Sequence, residues 1–190
     1  MYRLTGLSDA RKFITRIHLA CAKIRDLPVP VIARVHGYCL GAGLEIMASC
    51  DLRVTSEKSV FGMPEVKVGI PSVVEAALLP GLIGMGRTRR LLYLAEKIGA
   101  RQAEAWGLVE SVVSDEAALD EIVRDWTGKI CASGAKAIRE QKRLMRRWED
   151  CSVSEGIEVG IDSFAKAYED GGLEPKSLMG QFLNDSSHRR

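Results

Sequence analysis

The chain has 190 residues, of which 46% are hydrophobic, and this is enough for one sizeable core but short for two. Its 27 basic residues nearly balance its 25 acidic residues, so the overall charge favours neither a nucleic acid nor an anionic membrane as partner. No apolar run approaches the roughly 20 residues that a membrane-spanning helix needs. We therefore expect one soluble domain.

The cysteines indicate a reducing, intracellular compartment. They are odd in number, widely spaced and without a C-x-x-C pair, which argues against a disulfide framework and against a zinc site. The five are Cys21, Cys39, Cys50, Cys131 and Cys151. We expect no metal.

The compartment itself stays open between cytoplasm, mitochondrion and peroxisome. Residues 1–25 are basic, which is typical either of a mitochondrial transit peptide or of a basic surface helix. The last residues, His188-Arg189-Arg190, are not a peroxisomal S-K-L ending.

The first predicted element is an amphipathic helix between Ser8 and Leu27, which Pro28 ends. The next segment, PVPVIARVHGY, is rich in β-branched residues and closes at Gly37. Such a run predicts a strand buried on both faces, and hence a parallel sheet covered by helices. Functional residues are expected at the C-terminal end of this strand.

The remaining chain predicts a sheet followed by helices. GAGLEIMASCD reads as a tight turn into a short helix, DLRVTS as a strand, FGMPEVKVGIP as an irregular segment and LVESVVS as a last strand. From Asp115 onward the pattern is helical. We predict an α/β body over residues 1–114 and a helical region of the same domain over residues 115–190.

The glycine turn predicts a receptor for a negatively charged oxygen. Gly41 and Gly43 let the backbone turn sharply, and the amides that follow, beginning with Ala42, are donors without partners at the start of a helix. Such donors stabilise an oxyanion that forms during a reaction.

Two carboxylates accompany this turn. Glu45 lies within the first helical turn, where the helix dipole favours its charge but the apolar neighbours Leu44, Ile46 and Met47 oppose it. A simple capping role for Glu45 is an open alternative. Glu65 follows Pro64 in a segment that reads as a rigid loop near the same sheet edge. Amide donors beside two carboxylates suit proton transfer next to a polarised carbonyl.

The run PVIARVHGYCLGAGLEIMASCDLRVTSEKSVFGMPEVKVGI closely resembles the crotonase, or enoyl-CoA hydratase and isomerase, superfamily. The resemblance continues more loosely to the helical C-terminal region. It implies an α/β spiral of ββα units, with C-terminal helices that assist a homotrimer or homohexamer. It also implies an acyl-CoA thioester as substrate, with coenzyme A entering as part of that substrate and no separate cofactor.

Carried onto this chain, the resemblance makes the Ala42 amide one of two oxyanion donors, and Glu45 and Glu65 the glutamates with which hydratases handle water. The implied function is hydration of a trans-2-enoyl-CoA. Two alternatives stay open, a Δ3,Δ2-enoyl-CoA isomerase or another crotonase reaction, and an inactive assembly or binding subunit.

The chain departs from the family at its start. Members carry an upstream strand and an A-G-x-D-like turn that supplies the second oxyanion donor, whereas Met1 stands just after the corresponding point. The residues of the adenine pocket also have no counterpart. We therefore expect the chain to be a truncated product.

The second departure is GIPSVVEAALLPGLIG, which replaces a more glycine-rich loop of many hydratases. Its acid, Glu75, is expected to be a surface helical glutamate rather than a third acid of the site. The basic residues Lys142, Arg143, Arg146 and Arg147 share one predicted helix, and we expect them to form a solvated face rather than a contact with coenzyme A phosphates or a neighbouring subunit.

Overall fold

In the computed structural model, residues 3–187 are described, apart from the side chains at positions 182 and 185–187. His188-Arg189-Arg190 lie outside this range. The described helices are α1 (Leu7–Asp26), α2 (Ala42–Ala48), α3 (Leu79–Leu94), α4 (Ala100–Trp106), α5 (Glu116–Cys131), α6 (Ala135–Trp148), α7 (Val153–Lys166) and α8 (Leu173–Ser187). The strands are β1 (Ile32–Val35), β2 (Tyr38–Leu40), β3 (Leu52–Ser56), β4 (Val60–Gly62), β5 (Lys97–Gly99) and β6 (Ser111–Val113). Two 3₁₀ helices cover Glu65–Val68 and Val74–Leu78.

The described chain divides into two compact units. The first comprises residues 3–27 and 31–125 and carries all of these strands. The second comprises residues 28–30 and 126–187.

The strands of the first unit form two small sheets, and the first four strands enter them in alternation. One sheet has the order β1-β3-β6 and is parallel. In the other, β2 pairs with β4 in parallel and β4 with β5 antiparallel. Each pair of consecutive strands, β1-β2 and then β3-β4, therefore gives one strand to each sheet. With the helical segment that follows each pair, this is the predicted spiral of ββα units.

The single strand predicted for PVPVIARVHGY is wrong in detail, because the structure has two. β1 ends at Val35 and β2 begins at Tyr38 in the other sheet. Between them Gly37 has a φ of 67°, a conformation that side-chain-bearing residues rarely adopt. The change of sheet thus occurs at the glycine.

The first unit is held together by an apolar core that contains side chains from both strands and helices. Its largest fully buried side chains include Phe61 from β4, Leu44 from α2, and Leu79 and Leu91 from α3. Because α2 places both Leu44 and Met47 in this core, its position relative to the sheets is fixed by packing.

A buried guanidinium ties β3 to the segment before β6. Arg53 is only 6% exposed, and it donates hydrogen bonds to the carbonyls of Leu108 (2.9 Å) and Cys50 (3.0 Å) and pairs with the Glu110 carboxylate. All of these partners would lose a donor if the guanidinium were removed. Leaving the buried carbonyls and the Glu110 carboxylate without this donor would lower the stability of the fold.

The second unit contains helices α6, α7 and α8. Helix α7 begins with a capping box in which the Glu155 amide donates to Ser152 Oγ, while the Ser152 amide donates to Glu155 Oε2. Helix α6 is capped by Glu174, which accepts hydrogen bonds from the amides of Lys136 and Ala137 at 3.0 Å each. A cavity of about 740 Å³ lies among these helices.

The predicted solvated basic face of α6 is wrong for Lys142. This side chain is 3% exposed, and its Nζ donates to the Val29 carbonyl at 2.9 Å. Arg143 instead pairs with Glu140 on the same helix. The helical pattern alone could not show that residues 28–30 fold onto α6.

We predict that Arg53→Ala lowers the free energy of unfolding by about 3 kcal/mol, since it leaves buried carbonyls and a carboxylate without their donor. Arg101→Ala is the matched control, because Arg101 pairs with Glu57 and Glu104 at the surface and its side chain is 63% exposed. Its loss should cost under about 1 kcal/mol. Urea unfolding of both variants measures the difference, and equal losses would contradict the structural role of Arg53.

Candidate functional site

Helix α2 begins at a sharp turn made by Gly41. This residue has a φ of 55°, and its amide donates to the Gly62 carbonyl at 3.0 Å, which fixes the turn to the end of β4. The amides of Leu44 and Glu45 both donate to the Gly41 carbonyl. The amides of Ala42 and Gly43 precede these bonds and lie at the helix start, where backbone donors lack helical partners.

The two glycines of this turn differ in what they do. Gly41 requires the left-handed region of backbone conformation, and a Cβ on it would collide with the Glu65 carboxylate. Gly43 lies inside α2, has no positive φ, and an added Cβ there would meet nothing within 4 Å. The turn itself depends on Gly41.

Glu45 is buried within α2, with only 4% of its surface exposed. Burial raises the pKa of its carboxyl to about 7, and the negative charges of Glu65 and Glu75 add to this effect. A hydrogen bond from the Ala76 backbone amide acts in the opposite direction. Of the apolar neighbours expected to oppose the charge, Leu44 and Met47 are buried, whereas Ile46 is 41% exposed.

Glu65 begins the first 3₁₀ helix directly after Pro64. Its Oε1 lies against Gly41, in the space that a Cβ would fill, and its Oε2 accepts a hydrogen bond from Ser72 Oγ at 3.0 Å. The carboxylate is therefore held at the turn that begins α2. The structure thus brings together the predicted Gly41, Ala42, Glu45 and Glu65.

The expectation of a surface position for Glu75 is wrong. Glu75 is only 6% exposed, and its Oε1 lies 2.7 Å from Nδ1 of His18. Neither residue was identified from the sequence as part of the site. One signal was present in each case: Glu75 is flanked by apolar residues on both sides, and His18 lies at helical spacing between Ile14 and Cys21 on the apolar face of α1.

Within residues 3–187, no group of three or more histidine, cysteine, aspartate or glutamate side chains is arranged to hold a metal ion. No helix in the same range is both long and apolar enough to cross a membrane. The cavity of the second unit is lined by residues of α6, α7 and α8 and the chain between the last two, and it contains neither Glu45 nor Glu65. We place the candidate site at the carboxylates, because cavity size alone supplies no chemistry.

We predict that Gly41→Ala destabilises the chain, because the added methyl group meets the Glu65 carboxylate in a strained backbone conformation. The loss should be about 1 to 3 kcal/mol. Gly43→Ala, the control two residues away, should be neutral or stabilising by up to about 1 kcal/mol, since alanine favours helix interiors. Urea unfolding compares them, and equal effects would contradict the assigned role of Gly41.

We predict that stability falls as pH rises from 4.5, the ordinary value for glutamate, to about 7, the pKa of Glu45 in the fold. In this window the folded state holds a proton on Glu45 that the unfolded state has lost. Glu45→Gln removes this contribution, so its stability relative to the unaltered chain should increase with pH and level off above pH 7. Urea unfolding at several pH values measures the profile, with Glu57→Gln, at the exposed partner of Arg101, as control. Parallel profiles for Glu45→Gln and the unaltered chain would contradict the prediction.

The sequence of this chain matches a known protein family. A profile described as enoyl-CoA hydratase/isomerase matches residues 5–179. Crotonyl-CoA hydratase of Syntrophomonas wolfei is 34% identical over 161 residues, which are 84% of this chain and 62% of that protein. Mevalonyl-coenzyme A hydratase sidH of Aspergillus fumigatus is 37% identical over 139 residues, 71% of this chain and 50% of that protein. The chain thus spans between half and two thirds of the length of these relatives.

Solved structures agree with this result. The enoyl-CoA hydratase of Mycobacterium smegmatis superposes with a TM-score of 0.89 at 27% identity, covering 95% of this chain and 70% of that one. The enoyl-CoA hydratase of Thermoplasma volcanium gives 0.84 at 29% identity, with coverages of 95% and 71%. The predicted crotonase-like fold is therefore confirmed, and the chain belongs to the enoyl-CoA hydratase/isomerase family.

Proposed function

We propose that the chain catalyses the addition of water to the double bond of a trans-2-enoyl-CoA thioester. The observation that carries this proposal is the meeting of two carboxylates, Glu45 and Glu65, at the Gly41 turn, one buried in α2 and the other against the turn glycine. Relatives named crotonyl-CoA hydratase and short-chain-enoyl-CoA hydratase, at 34% and 32% identity, support the same reaction.

The reaction needs two proton transfers, one from the attacking water and one to the α-carbon of the substrate. One glutamate takes a proton from water as the water oxygen bonds to the β-carbon, and the electron pair of the double bond moves toward the thioester oxygen. The second glutamate delivers a proton to the α-carbon, which restores the carbonyl. A carboxyl whose pKa lies near 7, as for Glu45, is populated in both protonation states at neutral pH, as general acid–base catalysis requires.

The Ala42 amide is the proposed donor to the thioester oxygen. It stands at the first position of α2, one residue after the Gly41 turn. A hydrogen bond from this amide would strengthen as negative charge grows on the oxygen, and one such donor is worth about 3 kcal/mol of transition-state stabilisation. Coenzyme A enters as part of the substrate, and no separate cofactor is proposed.

A homotrimer or homohexamer is the proposed assembly. Within the second unit, helix α7 exposes apolar side chains at helical spacing. These are Val153, Ile157, Ile161 and Phe164. An exposed apolar stripe of this kind is typical of a surface that another subunit covers.

Migration of a double bond within an enoyl-CoA is the second candidate reaction. One observation favours it: Glu45 is nearly fully buried, whereas Glu65 is only half-buried, and a single carboxylate suffices to move a proton between two carbons of an enolate. An inactive assembly or binding subunit remains the alternative without turnover.

We predict that Glu45→Gln and Glu65→Gln each lower kcat for hydration by about a hundredfold to ten-thousandfold, because each amide keeps the shape of the side chain but cannot exchange the proton. The assay follows loss of the conjugated double bond of a short trans-2-enoyl-CoA. Glu57→Gln, at a surface ion pair, is the control and should match the unaltered chain.

Product analysis with a 3-enoyl-CoA separates the two reactions. An isomerase should lose activity in only one of the two variants, Glu45→Gln or Glu65→Gln, whereas a hydratase needs both carboxylates. Hydration that survives both substitutions would contradict the proposed function.

A further inference from the structure

One carboxylate of the candidate site is held by a residue that has no part in the reaction described above. Ser72 Oγ donates a hydrogen bond to Glu65 Oε2 at 3.0 Å, and both residues are half-buried. Within residues 3–187, this is the hydrogen bond that the Glu65 carboxylate receives. The other oxygen, Oε1, lies against Gly41. The two oxygens of this carboxylate therefore have different surroundings.

The backbone between the two residues turns back on itself and so brings Ser72 to Glu65. The 3₁₀ helix that begins at Glu65 ends at Gly69, whose φ of 74° changes the direction of the chain. The Ile70 amide then donates to the Glu65 carbonyl at 3.1 Å. Pro71, whose ring restricts φ, leads directly to Ser72. The Ser72 hydroxyl thus closes a loop that the backbone has already formed.

Ser72 belongs to the segment GIPSVVEAALLPGLIG, in which the chain departs from the more glycine-rich loop of many hydratases. Glycine has no side chain with which to donate a hydrogen bond, whereas the serine hydroxyl is a donor. A hydroxyl that donates to an ionised carboxylate forms a charge-assisted bond, which is stronger than a bond between neutral groups. The departing loop therefore supplies an anchor for Glu65.

We propose that Ser72 is a positioning residue that fixes the orientation of the Glu65 carboxylate and leaves Oε1, at the Gly41 turn, as the oxygen that exchanges a proton. Torsions at the end of a glutamate side chain are soft, so an unanchored carboxylate rotates and moves both oxygens. With Oε2 bound to Ser72, rotation breaks a hydrogen bond, and Oε1 stays at the start of α2. The effect on turnover rests on the proposed function, whereas the anchoring of Glu65 does not.

The first test measures hydration of a short trans-2-enoyl-CoA by variants of Ser72. Ser72→Ala should lower kcat about tenfold, because the carboxylate loses its fixed orientation, while KM changes by less than about twofold. Ser72→Thr keeps the hydroxyl and should retain kcat within about threefold of the unaltered chain. Ser114→Ala is the matched control, because Ser114 donates to the surface carboxylate of Asp115 at 2.9 Å, and it should leave kcat unchanged.

A double substitution shows whether Ser72 acts through Glu65. In Glu65→Gln the group that Ser72 orients can no longer exchange a proton, so adding Ser72→Ala should lower kcat by less than about twofold. A residue that merely supported the loop would cause the same loss in both backgrounds. Equal losses in the two backgrounds, or a normal kcat for Ser72→Ala alone, overturn the proposal.

Urea unfolding tests the contact without turnover. Ser72→Ala and Glu65→Ala, alone and combined, form a double-mutant cycle, and their coupling should change the unfolding equilibrium constant about tenfold, as for a hydrogen bond to a charged group. The same cycle with Ser114→Ala in place of Ser72→Ala should show less than about twofold coupling. Additive effects in the first cycle overturn the proposal.

Two provisions keep the outcome decisive. If Ser72→Ala does not fold, Ser72→Cys replaces it, since a thiol has a similar shape and is a weak donor. If the unaltered chain does not hydrate an enoyl-CoA, the proposed function fails, and the unfolding cycle alone decides whether Ser72 anchors Glu65.

Discussion

The backbone turn at Gly41 is the constraint on which the rest of the site depends. Its positive φ lets α2 begin directly after β2, and its amide is bound to the end of β4. Because Gly41 has no Cβ, the Glu65 carboxylate can lie against the helix start. The Glu65 carboxylate can therefore approach the helix that carries Glu45, because a Cβ at position 41 would occupy its place.

The packing of the helix that follows this turn explains why the pKa of Glu45 is raised. Helix α2 must bury Leu44 and Met47 in the core, and this packing carries Glu45 out of solvent with them. The fold loses stability by burying a carboxylate, and in return it gains a group whose pKa lies near neutrality. The Ala76 amide limits this cost, while Glu75, held by His18, adds to it. The proton affinity of Glu45 is thus a balance among neighbours from three segments.

Local motifs encode those parts of the structure that could be predicted from the sequence. The glycine turn, Glu45 and Glu65 form a local pattern that predicts an oxyanion donor beside two acid–base groups. The fold was predicted from the family resemblance. The division of one predicted strand at Gly37 was missed because a change of sheet leaves no periodic signal. Glu75 and Lys142 were misplaced because their burial depends on tertiary packing, by α1 and by residues 28–30 respectively, which helical periodicity does not report.

The most direct test is to incubate this chain with trans-2-butenoyl-CoA in water labelled with oxygen-18 and to measure how much of the label enters the product. Hydration at the Gly41 turn should give a 3-hydroxybutanoyl-CoA that carries one labelled oxygen, detected by mass spectrometry. The carboxylates at the Gly41 turn would then act on water as proposed. Unchanged substrate, or only an unlabelled product with a displaced double bond, would contradict hydration by Glu45 and Glu65.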